Sequence, residues 1–516
     1  MEEQAPVNNE EIQETAGIRW ARIPCLILIL LLSLFLNLWN NDFPLGHHVD
    51  EIKKTHFIVL GHQDFHHPIL MLDSVRLVNL YFRYEQKDLQ KVVELGRVIM
   101  GIFATLTVLL FFLIIRGLLP YPYDLFCTFA VACSPALVIH AHYLKEDTIF
   151  TFCCMLSILA FFSLCRQATP VKTLYLGIAT GLAVSSHFKG LLLFPLFFVG
   201  PFLFRPESRF LLIRRIFHAI PIAIWVFITA NYPILKDAST FRMGMAYDMN
   251  KIQTGYGAKI FPLPHFFSFH LLNSILPGMT LFLALFSLLA ILYFFKNWLQ
   301  LEFEDRFLLL FIVVFYFVVE ISPMKTFPDY MRYVLPLIPV MLYFFCKAFY
   351  ILEKSISGTW KKMAVRFIFF FAIIYSLQVT LRLDYHMNRD TRKKVLEMVK
   401  KMDGRAHVGY FVDPFHGTFF SQHKLEDLRR DRIKYLVLSS FEYDEFEYGA
   451  KLKDQIPRVY EWAKAFEEIF SFPYKEIKPV YMSFAFSNPT IRIVDISSIP
   501  IPKKREREQW RRRNQR

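Results

Sequence analysis

The chain has 516 residues, 54% of them hydrophobic, with 56 phenylalanines and a formal net charge of +14. Soluble domains do not carry this composition, and polytopic membrane proteins do. The positive excess is therefore assigned to membrane borders and anionic lipid, with no nucleic-acid partner expected. Residues 1–18 are polar and acidic and read as a disordered cytoplasmic N-terminus. Apolar runs then recur at 23–39, 96–115, 122–140, 147–165, 173–186, 187–204, 214–231, 270–295, 306–321, 331–351 and 363–381. The first follows Arg19 and Arg22 like a signal peptide, but it exits through Asn37-Leu38-Trp39-Asn40-Asn41 with no small-residue cleavage site, so it reads as an uncleaved helix. The runs predict about eleven spans. That count divides 173–204 into two short helices at His187 and Lys189.

With the N-terminus in the cytoplasm, Arg116, Arg166, Lys172, Arg205, Arg209, Arg214, Arg215, Lys296, Arg306, Lys354, Lys361 and Lys362 fall on cytoplasmic loops. The opposite short loops mix fewer cations with carboxylates and histidines, as the positive-inside rule requires. An odd number of spans puts the C-terminus outside. Two long outer loops are expected. Residues 40–95 should hold interfacial amphipathic helices such as Pro68–Phe82. Residues 232–269, with Gly255-Tyr256-Gly257, read as a flexible loop or lid.

Past Leu381 charge and short apolar segments alternate. Helices are predicted over Asp390–Met402 and Arg458–Phe470, and strands over His407–Val412, Tyr435–Leu438 and Ile491–Ile496. The domain plan is a membrane catalytic domain over 19–381, an extracytoplasmic α/β domain over 382–502 and a basic tail over 503–516. All seven cysteines lie in apolar runs, so no disulfide framework is implied.

Chemistry is expected on the outer face. Asp50-Glu51 follows the first span, His66-His67-Pro68 follows in the same loop, and His140 and His142 precede Lys145-Glu146-Asp147 at the start of the fourth run. Lys189 interrupts the broken run, and Lys325 and Arg332 lie between the ninth and tenth. Ionisable groups at a membrane edge are costly and mark function. Lys and Arg there suit a lipid phosphate, and a carboxylate suits proton removal from an acceptor. A zinc site built from the histidines lacks cysteines and fixed spacing.

The segments HHVDEIKKTHF, HHPIL, YLKEDTIFTF, SSHFKGLLLFP and DYMRYVLPLIP occur in this order, and RDTRKKVLEMVK, IKYLVLSSFEYDEF and NPTIRIVDI follow. In order and placement the chain resembles the C-type (GT-C) glycosyltransferases, specifically the protein O-mannosyltransferase and lipid A aminoarabinose transferase group. The resemblance implies a multi-span enzyme acting outside the cytoplasm, in the plasma membrane or in the endoplasmic reticulum of a eukaryote. It implies a polyprenyl- or dolichyl-phosphate sugar as donor, a protein, lipid or glycan acceptor, and an inverting transfer. Asp50, with Glu51, would be catalytic and Asp50 the base. Lys189, Lys325 and Arg332 would hold the donor phosphate. Glu146, Asp147 and His67 would contact substrate or a divalent metal. Ile69 stands where the mannosyltransferase motif has a second proline, and no inserted β-trefoil is recognisable; both weigh against a protein acceptor. A transporter or flippase of lipid-linked sugars is the rival reading, against which no inverted repeat is visible.

Overall fold

The computed structural model describes residues 16–61, 65–203, 209–254, 267–322, 329–418, 425–444 and 457–500. Apolar composition translates into helix almost throughout the first three-quarters of the chain. The helices are α1 (Ala16–Leu38), α2 (Val49–Leu60), α3 (Leu70–Phe82), α4 (Leu89–Ile115), α5 (Tyr123–Ala132), α6 (Pro135–Ala141), α7 (Glu146–Arg166), α8 (Pro170–Ser186) and α9 (Leu193–Leu203). They continue as α10 (Arg209–Ala230), α11 (Pro233–Lys236), α12 (Ala238–Thr254), α13 (Leu276–Met279), α14 (Leu281–Lys296), α15 (Phe303–Ile321), α16 (Leu337–Ser355) and α17 (Thr359–Met387).

Among the described residues, five helices are long and apolar enough to cross a membrane, and seven spans result if each of two bent pairs counts as one. Those pairs are α5–α6, bent by 49°, and the segment Leu271–Met279 with α14, bent by 114°. The count of eleven is not established. Three further apolar helices are shorter or more charged: α8 has 17 residues, α15 carries Glu304, Asp305, Arg306 and Glu320, and α16 carries Lys347, Glu353 and Lys354. The α5–α6 break is stabilised across the bundle, where the Cys133 carbonyl accepts hydrogen bonds from Ser376 (3.0 Å) and Thr380 (2.8 Å) of α17. Broken backbone within a membrane needs such partners.

The long segment over 40–95, expected outside, contains α2 and α3. The outer face of α3 leaves Leu77, Leu80 and Tyr81 exposed, as an interfacial helix does. The second long segment differs from expectation. Residues 233–254 form α11 and α12 rather than a loop, and Gly255-Tyr256-Gly257 lies outside the described residues. The helix start is set by Asp237, whose carboxylate accepts from the Thr240 amide (3.0 Å) and from both the Ser239 and Thr240 hydroxyls. The polar sequence of α12 hid it from apolar periodicity.

Beyond α17 come α18 (Thr391–Val399), α19 (Leu425–Arg430) and a helix over Pro457–Phe470, around a sheet of β1 (Arg405–Val408), β2 (Ile433–Ser439), β3 (Tyr474–Ile477) and β4 (Ile491–Asp495). The strand order is β1-β2-β4-β3, with β1 parallel to β2 and the other pairs antiparallel. Val437 faces Ile493 in the β2–β4 register. Strand β3 has no counterpart in the sequence reading, because its outer residues are exposed and it breaks the apolar pattern. Each face of the sheet carries its own small apolar core. A third set, Phe441, Phe484, Ala485 and Phe486, merges instead with the core of the membrane helices.

Candidate active site

The site is built on α2. Gly46, at φ +93°, turns the chain after α1, and the His48 ring then caps the helix by accepting the Asp50 amide at 3.3 Å. Consecutive helical residues point about 100° apart, so Asp50 and Glu51 diverge. The Asp50 side chain keeps 46% of its accessible surface, so it opens on a recess beside Lys145 and Arg332. Its Oδ2 accepts from Lys145 Nζ at 2.5 Å and lies 3.8 Å from Arg332 Nη1. Burial works to raise the Asp50 carboxyl, but Lys145, His48, Lys54 and Arg332 together hold it well below the usual carboxylate range.

Glu51 is fully buried. Its oxygens meet Arg97 Nε at 3.0 Å and Nη2 at 2.6 Å, and the Leu144 amide at 3.0 Å. Arg97 also donates to the Asn41 and Phe43 carbonyls. The bidentate pair pins α2 to α4 and to the α6–α7 connection, and it leaves Glu51 no opening toward the recess.

The break between α6 and α7 supplies three consecutive charges. Lys145 reaches Asp50. Glu146 accepts a hydrogen bond from Lys54 and lies 3.9 Å from His67. Asp147 lies 3.7 Å from Lys189. Glu146 and Asp147 occupy the first turn of α7, where the helix dipole favours anions. Burial, opposed by the charge of Glu146, lowers the Lys54 amine below its ordinary value. Burial likewise pushes the His67 imidazole down to about 4, so at neutral pH it faces Glu146 uncharged.

Lys189 sits on the 3₁₀ turn Phe188–Leu192 between α8 and α9, which begins at extended His187. Its ammonium stands 4.6 Å from the centre of the Tyr333 ring and 5.9 Å from that of Phe150. Arg332, on the turn before α16, donates to the Tyr333 hydroxyl at 3.1 Å. Asp329 lies one turn away and accepts from His140 Nε2 at 2.8 Å, with His48 Nε2 at 3.8 Å. The other ring nitrogen of His140 is 2.7 Å from the Ala136 carbonyl, so both nitrogens need hydrogens. The C-terminal domain adds Tyr410, whose phenol is raised by burial and by the facing charge of Asp50.

The structure thus gathers Asp50, His67, Glu146, Asp147, Lys189 and Arg332 around one recess and turns Glu51 away from it. Lys325 lies outside the described residues. Lys145, noted with Glu146 and Asp147 from sequence, joins them; Lys54, Asp329 and Tyr410 complete the cluster and were not singled out from sequence. Lys54 had a signal, since it stands four residues after Asp50 on the same helix. The long-range partners Asp329 and Tyr410 had none. Four carboxylates (Asp50, Glu146, Asp147, Asp329) face four cations (Lys54, Lys145, Lys189, Arg332). Each carboxylate already has a cation or a histidine, and among the described residues no group of three or more His, Cys, Asp or Glu converges. This donor set does not fit a divalent metal. Likewise His142 is held by the Val138 and Trp39 carbonyls, each at 2.8 Å, rather than by a ligand cluster with His140.

No family model and no curated protein sequence matches the chain. Solved structures do match. The oligosaccharyltransferase AglB of Archaeoglobus fulgidus, in complex with an inhibitory peptide and a dolichol-phosphate, aligns over 94% of this chain and 75% of its own, with TM-score 0.53 and 12% identity. Its apo form aligns over 95% and 76%, with TM-score 0.55 and 12% identity. ArnT from Cupriavidus metallidurans, bound to undecaprenyl phosphate, aligns over 95% of this chain and all of its own, with TM-score 0.51 and 12% identity. AglB and ArnT are both GT-C glycosyltransferases. The chain has the GT-C fold. It is an integral membrane protein with a small C-terminal α/β domain.

Proposed function

We propose that the protein is a membrane glycosyltransferase that moves a sugar from a polyprenyl-phosphate carrier to an acceptor outside the cytoplasm. The observation that carries this reading is the unequal exposure of the carboxylates. Asp50 keeps 46% of its surface, while Glu146, Asp147 and Asp329 keep at most 5%. One ionised carboxylate therefore opens on a recess walled by lysines and an arginine, in a fold shared with proteins solved on dolichol-phosphate and undecaprenyl phosphate.

In the proposed reaction an acceptor O–H or N–H approaches Asp50. Its proton passes to the carboxylate as the acceptor atom bonds the anomeric carbon. The C1–O bond breaks with its electron pair staying on the lipid phosphate. A single displacement inverts the anomeric configuration. The leaving phosphate is already a stable anion, so charge stabilisation matters more than a general acid. Lys145, Lys189 and Arg332 supply that charge, and Lys145 is released from Asp50 as the phosphate arrives. Glu51 serves this reading by fixing α2. Glu146 and Asp147 act by orienting Lys54 and Lys189, and His67 remains a neutral sugar contact. Charge supports this orientation: α4 and α7 end at Arg116 and Arg166, while α7 starts at the site, so the positive ends lie away from the recess.

The test is turnover of a panel of radiolabelled polyprenyl-phosphate sugars by the purified protein in lipid, beside Asp50→Asn. Turnover of one donor by the wild type and not by the variant supports the reading. A variant as active as the wild type removes Asp50 as base, and a wild type that neither binds nor turns over any donor removes the reading.

A further inference from the structure

We infer that Phe486 of the C-terminal domain is a positioning residue for Asp50, acting through the ring of His48. The inference rests on the proposed role of Asp50 and goes beyond it. It makes the C-terminal domain part of the catalytic framework rather than an appendage.

His48 is fully buried and is held at its Nδ1 and on its ring faces, with Nε2 3.8 Å from Asp329. Its Nδ1 accepts the Asp50 amide, which starts α2. Its ring stands 4.1 Å from the Phe486 ring and 5.0 Å from that of Tyr143. Phe486 is 4% exposed and belongs to the apolar core shared with the membrane helices. The tip of its loop is bent: Ala485 has φ +48° and Asn488 φ +53°. Two backbone bonds, Phe484 N–H to Ser487 O at 3.2 Å and Ser487 N–H to Phe484 O at 2.9 Å, close the turn. Left-handed backbone at an alanine is unfavourable and persists only where its surroundings fix it.

What fixes it is Arg392. This side chain is 2% exposed and bridges the two segments that meet at His48. It donates to the Phe486 carbonyl at 2.7 Å and to the His47 carbonyl at 2.9 Å. Its remaining donors hold Asp390 in a bidentate pair at 2.8 and 2.7 Å, and Asp390 accepts the Asn488 amide at 2.8 Å. One guanidinium thus ties the chain just before α2 to the loop bearing Phe486. Nearby, a Cβ on Gly46 would stand 3.1 Å from the Pro414 ring, so a second part of the C-terminal domain packs closely on the chain before α2. A base must sit within a fraction of an ångström of its productive position, and the start of α2 is where that is set.

The experiment uses the full-length protein in lipid nanodiscs, with Phe486→Ala, Phe486→Leu and wild type compared by two readouts. The first is hydrogen–deuterium exchange of the peptide bearing His48–Thr55. Phe486→Ala should speed its exchange about fivefold, the scale of a weakened helix cap, with α7 peptides unchanged. The second is steady-state transfer. Phe486→Ala should lower kcat by about tenfold to a hundredfold with donor KM within about twofold, and Phe486→Leu should recover most of kcat. Unchanged exchange in Phe486→Ala overturns the inference outright. Faster exchange with unchanged kcat shows a contact that does not position the base, and overturns it too. Exchange that speeds in every peptide marks Phe486 as a merely structural residue and likewise overturns the inference. A wild type that turns over no donor while exchange responds as expected overturns the transferase reading and leaves a clamp on α2 without a reacting residue to serve.

Discussion

Asp50 and Glu51 are adjacent in sequence, yet their carboxylates leave α2 on different sides: Asp50 meets Lys145 on the recess, and Glu51 closes on Arg97 in the core. The pair therefore separates two experiments that sequence alone would treat as one. Asp50→Asn should reduce turnover by roughly 10²–10⁴, the usual weight of a positioned proton acceptor, with a smaller loss of thermal stability than Glu51→Gln, because Asp50 is half open although it pairs with buried Lys145. Glu51→Gln should act on folding instead. It leaves a buried guanidinium without its counter-charge, at a cost of about 3–5 kcal/mol, although the Asn41 and Phe43 carbonyls soften the loss. Thermal unfolding in detergent beside a turnover assay checks both. A stable, inactive Glu51→Gln would show that Glu51 acts in turnover and not in holding α2.

Lys145 sets the charge state of Asp50. Removing the ammonium by Lys145→Met takes away the strongest electrostatic influence lowering the Asp50 carboxyl, so its pKa should rise. A base works only when deprotonated, and the acid limb of kcat/KM should shift to higher pH in the variant. Donor KM should rise as well if Lys145 also meets the phosphate. A pH–rate profile of the two proteins decides; an acid limb at the same pH would detach Lys145 from the base.

Much of this arrangement is legible in the residues themselves. Apolar runs mark the helices because their length and hydropathy are local properties, and the broken helix at Lys189 is marked by His187 and Lys189 within an apolar stretch. Asp50, Glu146, Asp147, Lys189 and Arg332 stand out as membrane-edge charges. Their partners are less visible. Asp329 meets His140 across 189 residues, a pairing with no local trace. The direction of Glu51 is hidden for a different reason: it depends on where α2 begins, and that is fixed by the ring of His48 rather than by hydrophobic period. The α12 helix and strand β3 escape a sequence reading because neither buries a regular apolar face.

His67 gives the fold a pH dependence with a definite sign. Its ordinary value is 6.5 and burial pushes it down to about 4. Between these values the unfolded chain binds a proton that the folded protein does not, so stability falls as pH drops from about 6.5 toward about 4. The contribution is fully present above that window. His67→Asn should flatten this part of the curve, measured as melting temperature against pH. A variant whose decline parallels the wild type would mean that other groups dominate the acid side.

Lys189 depends on a glycine. Gly190 packs so tightly that a Cβ there would stand 2.6 Å from the Ala183 carbonyl carbon and the Val184 nitrogen. Those are backbone atoms of α8 and cannot swing aside as a side chain can. Gly190→Ala must therefore push the 3₁₀ turn away from the end of α8, moving Lys189 relative to Asp147 and Tyr333. Overpacking of this kind costs about 1–3 kcal/mol, and here it also displaces a cation proposed to meet the donor phosphate. The expected result is a lower melting temperature together with a donor KM raised by about tenfold, since about 1.4 kcal/mol of lost binding corresponds to that factor. Lys189→Met, which leaves the turn intact, should raise KM with a stability loss confined to the missing Asp147 contact. If Gly190→Ala destabilises the protein but leaves donor KM at the wild-type value while Lys189→Met raises it, the turn holds the fold without setting the position of the ammonium.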